Sequence, residues 1–307
     1  MASHSQPTAG NIREINAQAV QGAVPQLQML ATEIFHSYRG WLVVFAILVS
    51  VELLAPRERQ PLRCRAMGLA YWTIWIPASA VIAVLLSAAW ARIGLTPLLS
   101  LAAVQSNLAM PRPDNGIAIL VGVLVGDFAA YWCHRAQHAW LWPFHAVHHS
   151  IRNLNAVNSY HHISEKLFTF LLAAAPASLV SSDIAGTIPL LALLQWLQGV
   201  YLHSPSRLHL GPLRHIFADN RFHRIHHSLE QRHFDKNFGI LFSFWDRMFG
   251  TAHAPARDEW PDVGLAEVDE PRSVREWFDL PLRLLRAQRG TTANAETAVS
   301  APEHVRP

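Results

Sequence analysis

The sequence is poor in charged side chains, in cysteine and in nucleotide-binding glycine motifs. Only 15% of its 307 residues are charged and 51% are hydrophobic, whereas an ordinary soluble domain has about 25% charged residues. This balance indicates a membrane protein or a very large buried core. The two cysteines, Cys64 and Cys133, are too few for a disulfide framework or a thiolate metal site. Neither G-x-G-x-x-G nor G-x-x-x-x-G-K-[ST] occurs, so a nucleotide loop is not expected.

Long apolar runs are present instead. A membrane-spanning helix needs about 20 mostly apolar residues, and the sequence predicts four to five such segments. A further run at 95–104 is too short to cross and is expected to lie in the interface or to re-enter. No signal peptide pattern precedes the first run, which is therefore expected to remain as an anchor. The candidate segments are 41–55, 68–90, 116–133, 167–180 and 184–202.

Loop charges predict the orientation of these segments. Four arginines lie between the first two segments, and the positive-inside rule makes that loop cytoplasmic. Successive crossings then place the histidine-rich stretches on the cytoplasmic face. The net charge is +3. Because the basic residues flank apolar segments instead of forming a basic stripe, no nucleic-acid partner is expected. The arginines of the first loop are Arg57, Arg59, Arg63 and Arg65.

Four regions follow from this pattern. Residues 1–40 form a polar N-terminal segment, 41–115 carry the N-terminal membrane helices, and 116–254 form the histidine-rich region. Residues 255–307 form a tail. Within the tail, 276–288 is expected to be an amphipathic interfacial helix, and 289 onward is expected to be disordered.

Histidine is the residue in excess, with 18 copies. They form one H-x-x-x-H box and two H-x-x-H-H boxes. Histidines four apart share one face of a helix, and imidazole binds iron, zinc, copper and nickel. Eight clustered imidazoles are too many for one ion and suit two, and two more histidines lie on the same predicted face. The expected metal ligands are His134, His138, His145, His148, His149, His162, His203, His223, His226 and His227.

Other polar residues are interpreted around these boxes. Asp127, inside an apolar segment, and Glu165, three residues after His162, are expected to accept protons from ligand imidazoles. Whether His161 or His162 serves the site stays open. His209, His215, His233 and His253 are interpreted as ordinary polar side chains.

The three boxes, with their flanks "DFAAYWCHRAQH" and "DKNFGILFSFWDRMFGT", resemble the fatty acid hydroxylase/sterol desaturase superfamily over residues 116–251. The resemblance implies an all-α, multi-pass membrane bundle with a cytoplasmic histidine-rich helical cap. It also implies a non-haem di-iron centre that uses O₂ to hydroxylate or desaturate a sterol, fatty acyl or ether lipid. Asn237 and Asp246 in the second flank are expected to support the ligands. Since no H-P-G-G haem motif is present, electrons would come from a separate cytochrome b5-, ferredoxin- or flavoprotein-type donor.

One departure and two alternatives remain. The family motif R-x-H-P-x-E reads "YHHISE" here, without the arginine and with Ile163 in place of proline, which leaves the lipid class open. A membrane zinc hydrolase is the first alternative, although no acidic residue lies within the boxes as H-E-x-x-H chemistry requires. The second is a non-catalytic metal-binding membrane protein, which would carry ligands at mid-membrane depth.

Overall fold

The computed structural model describes residues 9–95, 98–100, 115–181 and 187–299. Its N-terminal half consists of helices, as the sequence predicts. The first two are long, and the next two meet at a corner where Leu141 leaves the helical conformation. Pro143 lies in the first turn of the second of these helices, where proline is tolerated. These helices are α1 (Ala9–Leu54), α2 (Leu62–Ile93), α3 (Asn115–Trp140) and α4 (Trp142–His149).

The second half contains shorter helices joined by ordered loops. A π-helical turn lies at Phe170–Ala174, and single 3₁₀ turns lie at Gly211–His215 and Gln231–His233. The described strands are a two-residue parallel pair, β1 (Leu99–Ser100) and β2 (Val180–Ser181). The remaining helices are α5 (Glu165–Thr169), α6 (Ala175–Ser178), α7 (Thr187–Leu202), α8 (Asn220–His226), α9 (Phe244–Met248) and α10 (Val274–Val299).

Two of the described helices are long and apolar enough to cross a membrane, at 27–54 and 62–93. They cover the first two predicted segments, and the helix containing the first begins well before residue 41. Much of the short run at 95–104 lies outside the described residues, as does the turn expected between 167–180 and 184–202. The total of four to five membrane segments therefore stays a prediction.

Helices α1 and α2 support the loop that follows α4. Gly68 lies against the backbone of Val157 so closely that an added Cβ would fall 2.3 Å from the carbonyl oxygen. The indole of Trp72 donates to the same carbonyl over 3.0 Å. Buried Glu52 accepts the backbone N–H of Ala156 over 2.7 Å. The apolar helices thus fix the loop that leads into His161.

The C-terminal helix α10 packs against α4 and the same loop. It buries Trp277, Leu280 and Leu284 while Phe278 and Leu282 stay exposed. The Trp277 indole donates to the His161 carbonyl over 3.1 Å. The helix continues to Val299, past the residue 289 at which the sequence predicts disorder. Residues 300–307 lie outside the described part of the chain. The boundaries of the four regions stay predictions.

Candidate metal centre

The fold gathers nine imidazoles into two buried groups. The ligand nitrogens within each group lie within 4.8 Å of one another. All nine side chains except His138 belong to buried residues, and His138 is largely covered. The first cluster consists of His134, His138, His145, His149 and His226, and the second of His148, His203, His223 and His227.

The box spacing explains the division. In α4, the outer histidines His145 and His149 are four apart and enter the first cluster, whereas His148 between them enters the second. In α8 the assignment is reversed: His223 and His227 enter the second cluster and His226 enters the first. Residues four apart share a helix face and their neighbour points elsewhere. An H-x-x-H-H box on a short helix can therefore contribute side chains to two clusters at once.

The remaining ligands come from helix ends. His134 and His138 form an i, i+4 pair on the last turns of α3, and His203 directly follows α7. The α8 box begins where Asp219 caps the helix, its carboxylate accepting the Phe222 backbone N–H over 2.9 Å. Such a cap satisfies one of the free amides at a helix start.

The donor geometry fits metal ions. In the first cluster, Nε2 of His134 lies 3.1 Å from Nε2 of His145, and His138 and His149 are related in the same way. In the second, the Nε2 atoms form a chain His148–His203–His223–His227 with spacings of 3.1, 3.1 and 3.2 Å. A tetrahedral ion with bonds of about 2.0–2.1 Å holds its ligands about 3.3 Å apart.

Burial keeps these imidazoles neutral, as ligands must be. Burial, followed by the neighbouring histidines, holds the pKa of His148, His149, His223, His226 and His227 well below the usual range. The buried Nε2 of His226 has no hydrogen-bond partner. A buried, unsatisfied nitrogen inside a ring of lone pairs is the arrangement that a cation satisfies.

A loop at 235–238 orients three ligands of the first cluster. Nδ1 of His226 lies 2.7 Å from the Lys236 carbonyl, Nδ1 of His134 lies 2.9 Å from the Phe238 carbonyl, and Nδ1 of His138 lies 3.2 Å from the Asp235 carboxylate. Since a carbonyl only accepts, the hydrogen belongs on Nδ1 and Nε2 is free to bind metal.

Strained backbone shapes this loop. Asp235 and Asn237 adopt left-handed φ angles of 55° and 60°, a conformation that these two residue types tolerate better than most. The Asn237 side chain secures the turn by donating to the carbonyls of Phe222 and His253 and accepting from the His253 N–H. Asn237 therefore holds the 235–238 loop in place through hydrogen bonds to the backbone. None of these contacts involves a histidine ring of the first cluster.

Asp246 and Asp127 are expected from the sequence to support the ligands. Both accept hydrogen bonds from backbone N–H groups instead of from imidazoles. Asp246 accepts the N–H groups of Phe238 and Gly239, each over 2.8 Å. Asp127 accepts the N–H groups of Leu241 and Phe242, along with the Trp245 indole. The Asp127 carboxylate thus accepts its hydrogen bonds from the 238–246 segment. In these contacts it makes none with a ligand ring.

Glu165 is a buried carboxylate that contacts a histidine of the first cluster. Its Oε1 accepts Nδ1 of His145 over 2.8 Å, and its Oε2 accepts the Gln137 amide and lies 3.2 Å from Nδ1 of His161. Burial alone would raise the pKa of Glu165, but His161 and His145 together hold it well below its usual range. Glu165 stays a carboxylate and fixes the His145 tautomer.

His162 and His161, between which the sequence leaves the choice open, have different surroundings in the structure. His162 lies in neither cluster, and its Nδ1 pairs with Ser164 Oγ over 2.7 Å. His161 stacks on His148 with ring centroids 3.8 Å apart, and it joins His145 and Glu165 in a smaller group. Adjacent residues in an extended segment point in opposite directions, so only one of the pair can face the centre. Asp235, Gln137 and His161 carry no spacing signal that would have identified them in advance.

Comparison with known proteins agrees with this arrangement. Residues 119–251 match the Fatty acid hydroxylase family. The matched stretch contains all nine clustered histidines. It is similar to the ornithine lipid hydroxylase OlsE of Rhizobium tropici, with 31% identity over 48% of this chain and 45% of that protein.

Two further proteins show a similar match. Human alkylglycerol monooxygenase is 29% identical over 48% of this chain and 33% of its own length. A very-long-chain aldehyde decarbonylase of Oryza sativa is 28% identical over 50% of this chain and 60% of its own length. The match therefore covers about a third to three fifths of these relatives. No solved structure matches the chain.

Proposed function

We propose that the protein is an O₂-dependent membrane oxygenase that hydroxylates a lipid at a C–H bond, using one iron ion in each histidine cluster. The observation that carries the proposal is the division of nine imidazoles between two adjacent, buried sites. The similarity to a lipid hydroxylase and to alkylglycerol monooxygenases supports the reaction class.

Iron bound in the two clusters would supply reductive activation of O₂. In the overall reaction a C–H bond becomes C–OH, the second oxygen atom leaves as water, and two electrons and two protons are consumed. The chain has no motif for a bound electron carrier, so the electrons would come from a separate donor protein. Desaturation would use the same oxidant and differ in the loss of a second hydrogen.

The chain's own residues hold the centre and keep water away. Glu165 holds the proton on His145 Nδ1, and the carbonyls of Lys236 and Phe238 hold those of His226 and His134. With the ring protons fixed on Nδ1, the Nε2 atoms keep their direction and their basicity. Low solvent exposure of the nine rings protects the reaction from unproductive side reactions.

Substrate access is proposed from the bilayer. Helices α1 and α2 are apolar, carry exposed aliphatic residues and contact the loop leading to His161. Arg57 and Arg59 lie in the connection between them, and Arg63 and Arg65 lie in the first turn of α2, which starts at Leu62. This group of arginines favours a cytoplasmic location for the histidine clusters. A lipid chain could then reach the centre while its polar head stays at the interface.

The test combines O₂ uptake with product mass. The full chain in mild detergent would be loaded with Fe²⁺ and given a reductant and a membrane lipid extract. The proposal predicts lipid-dependent O₂ uptake and products heavier by one oxygen atom, with neither in His226→Ala. Products lighter by two hydrogens would indicate a desaturase. Lipid cleavage without O₂ in the zinc-loaded protein would replace the proposal with a hydrolase.

A further inference from the structure

A third group of possible ligands lies outside both clusters. His233 ends the 3₁₀ turn at Gln231–His233, and His253 and Glu259 lie in the loop after α9. Their ligand atoms lie within 4.8 Å of one another. Nε2 of His233 is 3.2 Å from Glu259 Oε1, and Nε2 of His253 is 3.6 Å from Oε2. These spacings resemble those within the two clusters and bracket the roughly 3.3 Å expected around a tetrahedral zinc ion.

His233 gives the group its second, independent indication. The residue is 0% exposed, and its Nδ1 lies 2.8 Å from Ser228 Oγ. Its buried Nε2 has no hydrogen-bond partner and points toward the Glu259 carboxylate. A neutral imidazole nitrogen and a carboxylate oxygen are both acceptors unless a proton or a cation lies between them. Two histidines and one glutamate are an established zinc donor set.

The surroundings allow an ion to enter. Glu259 also accepts Arg232 Nη2 on Oε1 and the Ala256 N–H on Oε2, each over 2.7 Å. The Arg232 side chain is 59% exposed and pairs with Glu230 as well, so it can leave Glu259 at low cost, as exposed ion pairs contribute little. An open surface cleft of about 410 Å³, lined in part by Glu259 and Trp260, provides the access route.

We propose that His233, His253 and Glu259 bind a third divalent ion of zinc type, separate from the two clusters. The ion would join the segment after the last histidine box to the loop after α9. The Asn237 side chain already hydrogen-bonds to the backbone of His253. An ion bound to His253 would therefore restrict the motion of the 235–238 loop, which orients the first cluster. With three protein ligands the ion would keep an open coordination position, and in the described contacts its ligands touch none of the nine clustered rings.

The test counts metal in the full chain. Wild type and His253→Ala would be dialysed against excess Zn²⁺, passed over a desalting column and analysed for metal per chain. His253→Ala should hold one equivalent less than wild type. Glu259→Gln keeps the side-chain shape and an oxygen for the Ala256 N–H, and should show the same loss. His209→Ala, at an exposed histidine outside all three groups, should match wild type.

A second readout separates this site from the main centre. Hydrogen exchange in 228–234 and 253–259 should slow when Zn²⁺ is added to wild type and stay unchanged in His253→Ala. Equal metal counts in wild type, His253→Ala and Glu259→Gln would overturn the proposal. They would show that His233 Nε2 carries a hydrogen that it donates to Glu259. That outcome would leave the proposed oxygenase untouched, since the two clusters keep all their ligands.

Discussion

The two histidine clusters are built from the same residue type but are supported differently. In the first, two rings pair with carboxylates, His145 with Glu165 and His138 with Asp235, and a strained loop orients two more. In the second, Nδ1 of His148 and Nδ1 of His203 each pair with a backbone carbonyl. Nδ1 of His223 and of His227 is buried without a hydrogen-bond partner. In the described residues, no carboxylate bonds to a ring of the second cluster.

This difference predicts unequal sites. A carboxylate on the outer nitrogen raises the basicity of the imidazole and fixes its direction, and losing such a partner typically lowers metal affinity or activity 10–100-fold. The first cluster should therefore bind its ion more tightly, and the second should lose its ion first when a chelator is added. The five histidines of the first cluster and the four of the second are therefore not expected to be equally basic.

Removing one ligand should have the largest effect and should erase the difference between the clusters. His226→Ala in the first cluster and His223→Ala in the second should each lower lipid-dependent O₂ uptake by more than about 100-fold, beyond the usual effect of a lost outer partner. Both ions are needed for the proposed chemistry. Oxygen uptake in detergent, with His209→Ala as control, measures this. Near-normal turnover in His223→Ala would mean that the first cluster acts alone.

Glu165→Gln should sharpen the comparison. The amide keeps the volume but removes the charge beside His145, so metal affinity of the first cluster should fall about 10–100-fold. The second cluster should be unaffected, since Glu165 makes no hydrogen bond to its rings among the described contacts. Competition with a chelator, followed by metal analysis, resolves the two ions. If both clusters weakened to the same extent, the carboxylate would not be specific to the first.

The contribution of His203 to the pH dependence of stability should extend to lower pH than that of His138. Burial lowers the pKa of His203 to about 3, and burial lowers that of His138 to about 4 despite the bond to Asp235. In the metal-free protein each group then favours the folded state above the unfolded pKa of about 6.5. That stability falls as the pH drops from about 6.5 toward the folded value, because the unfolded chain binds the proton first.

The slope is about 1.4 kcal/mol per pH unit for each group within its window. Chemical denaturation of metal-free protein in detergent at pH 4 to 6 should therefore show a smaller slope in His203→Ala than in wild type. A slope that does not change would mean that His203 is protonated in the folded state, contrary to its burial.

Asp235→Asn should have the smallest effect. Asparagine tolerates the left-handed backbone at this position, so the substitution removes only the charge beside His138. The Asp235 side chain is 76% exposed, and solvent screens such a pair. We expect a loss in first-cluster metal affinity of about 10-fold or less, at the low end for an outer partner. A larger loss than in Glu165→Gln would reverse the ranking of the two carboxylates.

The sequence predicts the ligands better than their supports because ligand boxes are local patterns. His145 and His149, or His223 and His227, are visible as i, i+4 pairs on short helices. The second cluster also needs His203, which lies on a different helix end and is indicated only by the predicted orientation of the apolar segments. The structure groups these histidines in two clusters, and their role as metal ligands stays a prediction.

The supports depend on tertiary contacts. Asp127 has the composition of a ligand partner, but its oxygens are taken by backbone amides more than 110 residues away in the chain. His161 and His162 are neighbours, and only the direction of the chain set by Val157 and Trp277 decides which ring faces the centre. His233 and His253 look like isolated polar residues until the loop after α9 folds back. Periodicity cannot encode such long-range pairings.

The most direct test of two separate metal sites is the number of iron ions per chain in matched ligand variants. Wild type, His226→Ala, His223→Ala and the double variant would be reconstituted with Fe²⁺ and counted after desalting. Two independent clusters predict that each single variant holds one iron fewer than wild type and the double variant two fewer. Equal iron in wild type and either single variant would contradict the division of the nine histidines between two ions.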